Sequence, residues 1–280
     1  MSFKRSLIVF KLITVLMLSA ASLPLAGCGG SALTTEQEIA LGEEHAPKFL
    51  SEGGGPVPSA EVRTYVSEVG RKMVAQIAPD EQRDLPWEFQ AINHAQINAF
   101  ALPGGKVFIS RGLMERLSSE AELAAVLGHE VGHVVAQHIG KQMQQAMGLQ
   151  IGLAVIGAAT ETQWAEALGG VGGQLYLLKF GRSQETEADN IGMTYMVRAG
   201  YDPTGMLSVH RVLIDASGGG GAVEFLSTHP DPRNRLESAQ DRIEREFRHT
   251  QNNPQFRLDE QAYRARALDP LRKLPAAPTE

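Results

Sequence analysis

The chain has 280 residues, 43% of them hydrophobic and 21% charged, with 29 glycines and 14 prolines, a composition that excludes disordered, fibrous and collagen-like proteins. Its single cysteine excludes an internal disulfide. A balance of 26 basic against 32 acidic residues, with 6% aromatics and no basic stretch interleaved with them, argues against nucleic acid as a partner.

In chain order, residues 1–11 carry Lys4, Arg5 and Lys11 with no acidic residue, residues 12–18 are mainly apolar and residues 19–22 are small, the layout of an export signal. Leu25-Ala26-Gly27-Cys28 resembles the lipobox of bacterial lipoproteins, in which the cysteine is acylated and becomes the new N-terminus. Residues 1–27 are therefore read as a signal peptide and 28–58 as an anchor and linker; an uncleaved membrane anchor and a buried thiol are the alternatives. Acyl chains contribute about 0.8 kcal/mol per buried methylene, enough for several of them to hold a protein on a membrane without spanning it. Gly29 in place of aspartate resembles the outer-membrane sorting signal of a cell that has that membrane.

Glycines and prolines mark 53–58 as a loop, after which Ser59 caps a helix whose apolar residues Val62, Tyr65, Val66, Val69, Met73 and Ile77 recur at helical spacing up to Pro79. Residues 87–92, 99–102 and 106–109 read as short strands, the last two joined through Pro103-Gly104-Gly105. A strand over 106–110, with Lys106, Val107 and Phe108, is read as an edge that pairs with an extended peptide, Asn98 joining it on the substrate side, although the strand is equally compatible with an internal place in the sheet. Ser119 and Glu122 form a capping-box pattern that opens a long helix from Glu120 towards Met147. The glycine- and alanine-rich stretch 148–173 has an apolar run about half as long as a membrane span requires and reads as a lid-like insertion. Another helix over 184–199 ends at Gly200 and Pro203, residues 218–221 are a flexible connection, 230–248 is mostly helical, and 250–280 is a polar tail. These elements make an α+β chain that is mainly helical.

The chemistry concentrates in His129-Glu130-Val131-Gly132-His133, which sets two imidazoles about 40° apart on one helical face, within reach of a single ion. Two solvent-facing histidines are the bland alternative. Gly128 and Gly132 count against it: each costs roughly 1 kcal/mol relative to alanine inside a helix, so something approaches closely there. A catalytic zinc keeps three protein ligands and one open position. Of Glu185, Glu187 and Asp189, the helical wheel puts Glu185 and Asp189 on one side and Glu187 on a solvated side with Arg198. Glu185 is the candidate third ligand, and Asp189 the acceptor that orients a ligating histidine.

His129-Glu130-x-x-His133 and Glu185-x-x-x-Asp189, preceded by Asn98-Ala99-Phe100-Ala101-Leu102-Pro103-Gly104-Gly105, together resemble metallopeptidase family forty-eight over residues 36–248. The resemblance implies a gluzincin-type zincin domain over 59–249, with a small antiparallel-edged sheet and an active-site helix carrying the two histidines. It implies one zinc per chain held by His129, His133 and Glu185, with Glu130 as catalytic base. Arg182 fits the same pattern. Thr228-His229-Pro230 and Arg235 resemble a family segment that approaches the zinc, where His229 either assists the oxyanion or blocks the metal, and Arg235 is either catalytic or a structural arginine on helix-end carbonyls. No tetratricopeptide array follows, which fits a short lipid-anchored member. The function implied is an endopeptidase for misfolded or unassembled envelope proteins, held on the periplasmic face of the outer membrane through Cys28. A metal-containing assembly factor for outer-membrane proteins is the competing reading, with the outer-membrane assembly machinery as a partner; a metal-binding module without a peptide ligand leaves Glu130 without a task. The remaining histidines, His45, His94, His138, His210 and His249, read as surface or hydrogen-bonded residues.

Overall fold

A computed structural model describes residues 33–143, 179–218 and 223–279. The signal-peptide segment 1–27, Cys28, the whole glycine- and alanine-rich stretch 148–173 and residues 219–222 lie outside the described residues.

Helix α1 (Thr35–Glu52) starts with a complete capping box, Thr34 accepting from the Gln37 amide while the Gln37 side chain accepts from the Thr34 amide. Ser59 caps α2 (Ala60–Val74), which turns off before Pro79. Strands β1 (Glu88–Ile92), β2 (Ala99–Leu102) and β3 (Lys106–Ser110) follow, then the short α3 (Arg111–Met114) and α4 (Glu120–Val135). After the undescribed stretch come α5 (Arg182–Arg198), α6 (Thr204–Gly218), α7 (Glu224–Thr228), α8 (Pro232–Glu246) and the short turns α9 (Glu260–Tyr263) and α10 (Asp269–Arg272).

The sheet order is β1-β3-β2, with β1 parallel and β2 antiparallel to β3. This corrects the reading of Lys106, Val107 and Phe108 as a peptide-pairing edge: β3 is the central strand, buried along its length, and both sides of its ladder are used. The antiparallel edge is β2. Val62, Tyr65, Val66, Val69 and Met73 of α2 join α4, α5, α6 and one face of the sheet in the main core, while on the other face Phe49 of α1 packs at a tilt against Phe100, which stacks on Phe108.

Two expectations change. The segment read as a polar tail returns to the core: Tyr263, Ala267 and Leu271 are fully buried, Tyr263 donates to the Met114 carbonyl at 2.7 Å, and Arg111 donates to the Leu271 and Pro275 carbonyls. The long helix stops at Val135 instead of running to Met147, because Gln137 takes a left-handed φ of 55° and starts a new helical turn at His138. Its N-terminal box is also shifted: Ser119 accepts from the Glu122 amide, but Glu122 reaches back to the amide and hydroxyl of Ser118.

Helix α4 is buried from Glu120 to Val134, all round and not on one face. Its start is anchored by Glu120, whose carboxylate accepts from Tyr65 at 2.8 Å, from Lys72 at 2.7 Å and from Tyr201. The glycines explain how α5 lies so close to it. A Cβ on Gly192 would stand 2.9 Å from the backbone of Gly128 and His129, and one on Gly132 would stand 2.8 Å from the Ala188 carbonyl oxygen. The partner at those glycines is thus another helix backbone.

Candidate metal centre

The close crossing of α4 and α5 brings three of the expected residues together. His129 and His133, one turn apart on α4, present their Nε2 atoms 3.0 Å from each other. Glu185, in the first turn of α5, lies 3.3 Å from His133 Nε2 and 3.7 Å from His129 Nε2 through its two oxygens, with no exposed surface. A fourth residue comes from the end of α7, where His229 Nδ1 stands 2.9 Å from Glu185 and 3.2 Å from His129 Nε2. One ligand atom from each of His129, His133, Glu185 and His229 falls within 4.8 Å of the other three, and all four residues are buried.

The surroundings fix the protonation pattern. Asp189, one turn after Glu185, accepts from His129 Nδ1 at 2.8 Å, which leaves the lone pair of His129 Nε2 aimed into the cluster. Arg235 of α8 donates to both Asp189 oxygens, from Nε at 2.7 Å and Nη2 at 2.6 Å, and pairs with Glu185 through Nη1. It binds carboxylates, not the helix-end carbonyls of the structural alternative. Burial, aided by the Arg235 charge, pulls the His129 imidazole down to about 4, and burial holds His133 well below the ordinary histidine range. Burial pushes the Glu185 and Asp189 carboxyls up, but the charges of His229 and Arg235 around the first, and of Arg235 around the second, overcome it and keep both ionised. Neutral imidazoles beside an ionised carboxylate are the forms that donate lone pairs to a cation. Nitrogen and carboxylate donors converging in this way fit a divalent transition-metal ion such as zinc, which His129, His133, Glu185 and His229 could hold.

Glu130 lies beside the cluster, 1% exposed, with Oε1 lacking a hydrogen-bond partner and 3.8 Å from His229 Nε2. Burial raises its carboxyl to about 7, against the opposing charges of His229 and Arg235 and, least, the Ala101 amide of strand β2. The unpaired side of β2 therefore faces the helix that carries the histidines. Asn98, just before β2, uses its backbone to bond Ser110 and lines a groove of about 160 Å³ with Phe49, His94 and Phe100. Arg182 stands away from the cluster, 84% exposed and 3.5 Å from Asp231.

Two buried histidines belong to these surroundings although the sequence offered no sign of it. His210 of α6 is fully buried with Nε2 3.3 Å from Asp189, and His138 lies against His133. His138 is five residues from His133, a separation that points away on a continuous helix, and the left-handed Gln137 between them brings it back. Phe180 covers the same side, its ring 4.0 Å from that of His133.

A mainly helical domain with a three-stranded mixed sheet, and two histidines of one helix converging with a glutamate of the next, defines the metallopeptidase class called zincins. Comparison with known proteins agrees. Residues 60–243 match the model of Peptidase family M48, so the chain belongs to that family. It is 31% identical over 236 residues to the beta-barrel assembly-enhancing protease of Escherichia coli strain K12, covering 80% of this chain and 47% of that protein. The protein of the same name from Yersinia pestis is 31% identical over 76% of this chain and 45% of its own length. The mitochondrial metalloendopeptidase OMA1 of Schizosaccharomyces pombe is 35% identical over 71% of this chain and 59% of its own length. The chain thus spans about half the length of the curated relatives it matches.

Proposed function

We propose that the protein is a zinc endopeptidase that hydrolyses misfolded or unassembled proteins of the cell envelope, with His129, His133 and Glu185 as ligands of one zinc per chain. The observation that carries the reading is the convergence of those side chains beside a buried carboxylate, Glu130, which has one oxygen free. Zinc bound there lowers the pKa of a water towards about 7 and polarises a peptide carbonyl. Glu130, with its carboxyl raised to about 7, takes the proton of the attacking water and hands it to the leaving amine as the C–N bond breaks. Arg235 keeps Glu185 and Asp189 ionised, and Asp189 holds the His129 ring.

His229 fills the fourth corner of the cluster, so it acts as a reversible plug in the resting enzyme and withdraws to admit substrate. The substrate backbone pairs with the edge of β2 that β3 leaves free, in place of the β3 edge weighed in the sequence. Asn98 and Phe100 line the adjoining groove.

Residues 1–27 act as a signal peptide and Cys28 carries the lipid that holds the domain on the membrane; no helix among the described residues is long and apolar enough to cross one. Relatives named for assembly of β-barrels support an envelope location and a link to outer-membrane protein assembly. The same names favour a second reading, an assembly factor that uses the metal domain with little cleavage. Casein digestion by the purified protein, with and without a chelator, tests the chemistry. Cleavage is expected to stop with the chelator and in Glu130→Gln, and to persist or rise in His229→Ala; cleavage untouched by chelator and by Glu130→Gln refutes the enzyme.

A further inference from the structure

Each ligating imidazole has a second ring nitrogen, and the two are treated differently. That of His129 meets the buried, Arg235-bound carboxylate of Asp189. That of His133 meets no carboxylate: its Nδ1 stands 3.0 Å from Nδ1 of His138, whose Nε2 stands 3.2 Å from the Glu187 carboxylate. His133 and His138 are buried, whereas the Glu187 side chain is 56% exposed.

We propose that His138 and Glu187 are positioning residues that fix the tautomer and orientation of His133, an inference that rests on the metal reading given above. The direction of the chain of bonds follows from its last member. An ionised carboxylate only accepts, so His138 carries its proton on Nε2 and gives it to Glu187. In the neutral ring His138 Nδ1 is then a lone pair, able only to accept, and the hydrogen bond it accepts comes from His133 Nδ1–H. His133 is left with a bare Nε2, the atom directed at His129 Nε2 and Glu185. A surface carboxylate thereby sets the tautomer of a buried ring through an intervening histidine. The local fold is built to hold this relay: the left-handed Gln137 redirects the chain after α4, and its side chain donates to Glu38 of α1 at 3.3 Å, while Glu38 pairs with Arg83. Glu187, which the helical wheel assigns to solvent, thus has a task on that solvated side.

The test compares zinc affinity, by competition with a chromogenic chelator, for the full protein and four variants. His138→Leu removes the acceptor and is expected to weaken zinc binding about 10- to 100-fold. His138→Asn, whose carbonyl oxygen occupies the place of Nδ1, is expected to bind close to wild type. Glu187→Ala is expected to weaken binding by a smaller factor and Glu187→Gln, which retains an accepting oxygen, to restore it; because residue 187 is exposed, these two fold irrespective of the outcome. Nitrogen-15 spectra of labelled histidine should show His133 as the Nδ1–H tautomer in wild type and His138→Asn, and a mixture in His138→Leu. Zinc bound tightly by wild type and equally tightly by His138→Leu and Glu187→Ala overturns this inference and leaves the metal reading standing. A wild-type protein that takes up no zinc overturns both.

Discussion

The two halves of the metal centre are built differently. His129, His133, Glu185 and Asp189 stand on α4 and α5, helices of 16 and 17 residues whose backbones touch at Gly128, Gly132 and Gly192. His229 closes a five-residue helix with a single buried side chain, Phe225, held at its end by the Phe180 amide on the Thr228 carbonyl. The proposed ligands are thus carried by close-packed rods and the proposed plug by a short segment. A further anchor, Arg235, reaches from α8 into the rigid half at its junction with His229 and pairs with both of its carboxylates.

The largest effect is expected from breaking that junction. Arg235→Ala leaves Glu185 and Asp189 buried without their counter-charge and should cost about 3–5 kcal/mol of metal-free stability in urea unfolding, with added zinc recovering part of it. Next, Gly192→Ala pushes a methyl group against backbone, which cannot yield as a flexible side chain would. It should lose about 1–3 kcal/mol and also lower zinc affinity, because the helices that hold the ligands are forced apart. If stability falls and zinc affinity does not, the rigid half is less coupled to its ligands than the packing implies. A smaller effect is expected at the far end of α4. Although burial pushes the Glu120 carboxyl up, hydrogen bonds from Lys72, Tyr201 and Tyr65 lower it below the ordinary glutamate value. A depressed carboxyl contributes stability that is present above its unfolded pKa and is lost as pH falls through the folded value. Thermal unfolding of wild type should therefore lose this contribution below about pH 4.5, and Glu120→Gln should show a flatter acid limb.

The rigid half was legible in the sequence because it is local. A four-residue histidine spacing and a capped helix announce α4, and the wheel of α5 separates Glu185 and Asp189 from Glu187. What escaped depends on long-range geometry. The central place of β3 follows from a crossover between β1 and β3 that no local pattern records, so the sequence leaves Lys106 to Phe108 open between an edge and an internal strand. Tyr263, Ala267 and Leu271 stand at the i, i+4, i+8 spacing of a helix face, a stripe that the surrounding polar residues of 250–280 and the small alanine in its middle obscure. His138 and His210 reach the centre through a left-handed residue and a distant helix, respectively. Gly128 and Gly132 were recognised as sites of close approach, but only the structure names the neighbour as α5.

The central claim is that one cation sits where two helices deliver His129, His133 and Glu185. A crystal structure of the protein grown with zinc, with anomalous scattering measured on both sides of the zinc edge, tests it directly. The account predicts one anomalous peak per chain, bonded to Nε2 of His129, Nε2 of His133 and the Glu185 carboxylate. A peak elsewhere, or a Glu185 side chain still paired with Arg235 and turned from the zinc, would contradict it.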